Sequence, residues 1–278
     1  MGTFLSSFIE MIFLSCLPPV LFGLAVWGCR QLYCWFVGDD SGRPLILAAS
    51  ALSTPVRELG HAMMAILSFH RIEDMCLLNL HDPDGELGFV EHSYTPRNPL
   101  AVLGNFLYAL GPVVTGLGAI LLIFLICFNG VLPPFFGEVA ALGEQGAGFK
   151  EYALTALSLI PDMFGAGEAN VWGRIIGCVL LLAVCLGVHI TPAELTDALS
   201  GFLIFSLLLA FSVGVLMLFD DRVMRIALSG FRTYATAVTA LFLVTLLFAA
   251  AMVALGFLFG VVRTLFNIDK GTPPDFEE

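Results

Sequence analysis

A chain of 278 residues that is 58% hydrophobic and only 13% charged, with a mean hydropathy of +0.93, is excluded from the ordinary soluble domains. It falls among the polytopic helical membrane proteins. Its net charge of −11, with only 12 lysines and arginines and no basic stripe, carries no footprint of nucleic-acid binding.

In chain order, the first apolar run, residues 8–29, predicts a membrane helix kinked at Pro18-Pro19. No basic region precedes it and no small-residue cleavage site follows, so it is read as a retained span. Residues 30–43 make a polar link with a turn at Asp39-Asp40-Ser41-Gly42. The second span, residues 45–70, carries the run Pro55-Val56-Arg57-Glu58-Leu59-Gly60-His61-Ala62. Ionisable groups at that depth are expensive to keep and mark a site by default. Residues 72–96 then read as a β-hairpin, with strand-compatible flanks around a Pro83-Asp84-Gly85 turn. The third span, residues 98–128, passes Gly104, Gly111-Pro112 and Gly116-Leu117-Gly118, small residues that let another helix approach.

Residues 129–171 are Gly- and Pro-rich and more polar, with a short interfacial helix at 150–160. The fourth span, residues 172–188, delivers His189 at its end. Thr191-Pro192-Ala193-Glu194 reads as a helix start: threonine cap, proline in the first turn, glutamate closing the box. Asp197 follows on the same face. The fifth span reaches residue 219 and the sixth covers 235–262. The seven cysteines form no C-x-x-C pair, so neither a disulfide framework nor a cysteine-rich zinc site is indicated. The expectation is one all-α polytopic membrane domain over 1–278, with about six transmembrane helices and a small β-hairpin after the motif helix. Counting positive charges in the loops puts both termini on the non-cytoplasmic side.

The run from Arg57 to His61 is an H-E-x-x-H signature with its first histidine replaced. In that signature two histidines one turn apart hold zinc, and the glutamate between them polarises the attacking water. Over Ser53 to about Ala119 the chain resembles the site-2-protease-like intramembrane metalloproteases. The motif helix continues as Gly60-His61-Ala62, Phe69-His70-Arg71-Ile72 and the hairpin follow, and the next helix bears Ala109-Leu110-Gly111-Pro112. The resemblance implies Glu58 as general base, His61 as a zinc ligand, and a third ligand from residues 159–200. His189 with Asp197 is the favoured source; Asp162, in Leu159-Ile160-Pro161-Asp162, is the alternative. It also implies a membrane-protein segment as substrate or client, received in extended form along the hairpin by β-addition.

Arg57 does not carry over. A guanidinium has no lone pair to offer a metal and repels a dication where the first histidine would hold it. Arg57 and His61 share a helix face, so Arg57 is expected to take the metal's place and pair with Asp197, Asp162 or Glu58. Three functions follow. The first is a degraded metalloprotease that binds or regulates membrane-protein partners within the lipid. The second is an active zinc endopeptidase with the altered ligand set His61, His189 and Asp197. The third is a proton-coupled carrier using Arg57, Glu58, His61 and His189, against which the lack of internal repeats argues. Glu58 and His61 also fit the E-x-x-H spacing of di-iron bundles, but no second copy exists. His70, His81 and His92 are read as interfacial or loop residues.

Overall fold

The structure is a computed structural model that describes residues 2–38, 42–79, 87–145, 147–165, 170–218 and 221–266. Those residues form α1 (Gly2–Val37), α2 (Arg43–Leu67), β1 (Arg71–Cys76), β2 (Phe89–Ser93), α3 (Pro99–Cys127), α4 (Leu132–Gln145), α5 (Phe149–Phe164), α6 (Val171–Cys185), α7 (Pro192–Leu216) and α8 (Asp221–Leu265). Within α1, α3, α7 and α8 lie four stretches long and apolar enough to cross a membrane. Their outer faces suit lipid: Leu199, Leu203, Leu207 and Phe211 make an exposed row along α7 at a spacing of four, a patch that water would not tolerate. The chain is an all-α, membrane-type protein with one small sheet.

The core is built around α3, whose Ile120 and Phe124 are fully buried with Phe128 against Leu159 of α5, Leu181 of α6 and Phe242 of α8. α2 runs antiparallel to α3 and touches it backbone to backbone. Gly60 and Gly111 meet so closely that neither position has room for a Cβ. The Thr115 hydroxyl closes the seam by donating to the Val56 carbonyl at 2.9 Å.

Two features of the arrangement depart from the expectation. The segments read as separate fourth and fifth spans run the same way along α3. Gly173 and Gly177 lie against Cys127, Val188 against Gly116, Ala198 against Phe106 and Ala109, and Gly201 against Val102. α6 and α7 therefore form one column along α3, interrupted at residues 186–191. With 15 residues α6 rises about 22 Å, short of the roughly 30 Å that a crossing needs. Second, α1 and α8 are parallel. Glu10 meets Arg232, Phe22 stacks on Phe242, and Arg263 donates to the Val37 carbonyl. The start of α1 and the end of α8 thus lie at opposite ends of the bundle.

The hairpin expected at 72–96 is present as β1 and β2, antiparallel, with a register shift between Ile72 and Asp74. Its expected turn at Pro83-Asp84-Gly85, and His81, lie outside the described residues. Phe69 reverses the chain after α2 with a φ of +60°. The hairpin then folds back along α2 until Gly88 packs on Thr54 and Glu58. The short helix expected at 150–160 is α5, longer than expected and with Leu159 and Met163 buried in the core, and α4 was not anticipated. Gly and Pro content hid α4, yet Pro133 and Pro134 sit in its first turn, where proline is tolerated. Leu132, Phe135 and Val139 form its buried stripe.

Candidate functional site

The break between α6 and α7 lies beside the motif turn of α2. The second helix opens with the expected capping box: Glu194 N–H donates to Thr191 Oγ1 at 3.2 Å, and Thr191 N–H to Glu194 Oε2 at 2.8 Å. That box fixes the Glu194 side chain and leaves Oε1 facing α2. There Oε1 accepts a short hydrogen bond from Arg57 Nη2 and stands 3.0 Å from His61 Nε2. Arg57 Nη1 donates to Glu58 Oε1 at 2.6 Å. One guanidinium therefore bridges two carboxylates from different helices, a charge-assisted arrangement of the strong kind.

His61 is held on its other side as well. Its Nδ1 is 3.2 Å from the Tyr108 carbonyl and its ring stacks on the Tyr108 ring at 4.3 Å. Both ring nitrogens thus face acceptor oxygens, and neither is directed at open space. The stack continues outward. Tyr108 lies 4.1 Å from His92, His92 4.9 Å from His70, and His70 4.9 Å from Tyr94. His70 is buried, with Nε2 2.7 Å from the Ala101 carbonyl. In β2, burial and then the neighbouring His70 and His61 lower the pKa of His92 below its ordinary 6.5, against the opposing pull of Asp197.

A cavity of about 240 Å³ opens beside this network, bounded by Arg30, Thr54, Glu58, Gly88, Gly187 and His189. A Cβ at position 88 would stand 2.8 Å from the Thr54 methyl and 3.0 Å from Glu58 Cγ, so the hairpin rests directly on the motif.

Of the residues singled out by sequence, Arg57, Glu58 and His61 come together as the helix period requires. His189 lines the cavity, with its Nδ1 2.9 Å from the Leu186 carbonyl. Asp197 is exposed on α7 and lies on the His92 side. Asp162 is exposed on α5, a helix packed against α8 and α4 rather than α2. The partner of Arg57 across the break is therefore Glu194, in place of Asp197 or Asp162. Sequence reasoning assigned Glu194 to capping alone, although a carboxylate has two oxygens and can serve both duties. Tyr108 and Arg30 were also missed; Arg30, an arginine at the end of an apolar run, resembles a polar link.

Zinc requires lone pairs converging on one point. Among the described residues no three His, Cys, Asp or Glu side chains are grouped to hold a metal ion. The inner oxygen of Glu194 is taken by Arg57 and His61, so the side chains as arranged do not fit the ion. Compared with protein-family models, characterised proteins and solved structures, the chain matches none, and the functional reading rests on the site itself.

Proposed function

We propose that this is a site-2-protease-like membrane protein in which Arg57 has replaced the metal, and that it binds or regulates membrane-protein segments instead of cutting them. The observation that carries the reading is the guanidinium bridge. Glu58, which would activate water, and Glu194, which could have been a ligand, are both spent on Arg57. The hairpin beside the motif supplies strand edges along which an extended client segment can pair through its backbone. The membrane arrangement that belongs with this reading counts five passes: α1, α2, α3, the interrupted α6–α7 pair and α8.

The test is elemental analysis of the purified, detergent-solubilised protein. The wild type is expected to hold well under a tenth of an equivalent of zinc. Arg57→His, which removes the cation and supplies an imidazole one turn from His61, is expected to gain zinc and to lose it again when His61→Ala is added. Near-stoichiometric zinc in the wild type, abolished by His61→Ala, would overturn the proposal and assign a working metal centre.

A further inference from the structure

A second cavity, of about 490 Å³, lies between α1, α5 and α8, away from the motif. That volume is within the roughly 300–1,000 Å³ of small-molecule sites. Its walls are apolar, with Phe13, Leu17 and Phe22 from α1, Ala153 and Ala156 from α5, and Ala235 from α8. One end is polar, where Glu10 meets Arg232. From Glu10 to Phe22 the wall of α1 rises about 18 Å at 1.5 Å per residue, close to the depth of one leaflet of a ~30 Å hydrocarbon core. The shape suits one hydrocarbon chain lying along α1 with its head at the ion pair.

The form of that pair sets the head chemistry. Arg232 gives both Nε (2.8 Å) and Nη2 (2.6 Å) to the same oxygen, Oε1 of Glu10. Glu10 Oε2 and Arg232 Nη1 take no part in it, and both side chains keep 36% of their surface exposed. The end of the cavity therefore offers an anionic acceptor and a cationic donor side by side. An ammonium answers the first and a phosphate the second. A trimethylammonium has no N–H to give Oε2, and a head with net negative charge meets the carboxylate without a partner for it.

We propose that this cavity holds one acyl chain of a zwitterionic phospholipid whose headgroup carries a primary ammonium, with the head bound between Glu10 and Arg232. The test is native mass spectrometry of the full chain released from micelles containing equal amounts of ethanolamine, choline and glycerol phospholipids. One ethanolamine lipid should be retained about tenfold or more over the choline lipid, the margin of a charge-assisted hydrogen bond. Glu10→Gln should bring the two within about twofold. Ala153→Phe, which fills the apolar wall and leaves the ion pair intact, should lower retention of all three, and it carries the test if Glu10→Gln fails to fold. Equal retention of ethanolamine and choline lipids by the wild type, a preference for the glycerol head, or retention undiminished by Ala153→Phe would each overturn the proposal.

Discussion

At the scale of single residues, the question is what a guanidinium does between two largely buried carboxylates. Arg57 answers it by joining Glu58 to Glu194. Both carboxylates are nearly out of solvent, at 3% and 14% side-chain exposure, while Arg57 keeps 22%. Removing one partner of a fully buried pair costs about 3–5 kcal/mol, and an exposed pair contributes at most about 1 kcal/mol. Arg57→Ala should therefore lower stability by roughly 2–3 kcal/mol. Glu194→Gln is the informative companion, because glutamine still closes a capping box and only the charge is lost. Thermal unfolding of the two single variants and the double variant should show a coupling of about 1 kcal/mol or more; additive losses would mean that the two residues do not act as a pair.

The motif residues were legible because a helix places positions 57 and 61 on one face whatever surrounds it. Glu194 was legible only as a cap. Its second duty depends on where the α6–α7 break falls beside α2, and that is a tertiary fact with no local signature. Asp197 points to the same limit. It shares a face with Glu194 in the helical sense, yet the turn between them carries it out towards His92.

At the scale of elements, the hairpin and the interrupted column frame the site. Strand-compatible residues on either side of turn chemistry announced the hairpin, and the capping box announced the start of α7. Hydropathy counts residues without direction, so it could not show that α6 and α7 are two parts of one column. The hairpin is held to the bundle through a stack of imidazole and phenol rings, and this makes its docking depend on pH. The pKa of His92 is lowered below 6.5 when docked, so the docked state binds its proton less readily than the free state does. Docking is at full strength above 6.5 and weakens as pH falls through that value, where the undocked imidazole gains a proton that the docked one resists. Hydrogen exchange of β1 and β2, corrected for intrinsic rates, should show lower protection at pH 5.5 than at 7.5. Equal protection would rule out His92 as the sensitive group, and His92→Phe should abolish the difference while keeping the stack.

At the scale of the whole molecule, composition alone placed the chain among membrane proteins, and the exposed apolar row on α7 agrees with it. The order of the passes was not legible. Loop charges are few, and the positive-inside rule decides poorly when the two sets of alternate loops differ by only three arginines. In the proposed five-pass arrangement, the parallel contacts of α1 with α8, which hold from Glu10 to Val37, put the two termini on opposite sides. Epitope tags fused at the two termini should therefore be reached from opposite faces of sealed vesicles; both tags exposed on one face would refute a five-pass arrangement.

The same pairing has a consequence for synthesis. α1 emerges well before α8, yet each is the other's most extensive neighbour. Between Val37 and Asp221 stand about 180 residues, which a ribosome needs roughly 10–40 s to add at ~5–20 residues per second. For that interval α1 stands with Glu10 lacking its arginine, and chains shortened before residue 232 never supply one.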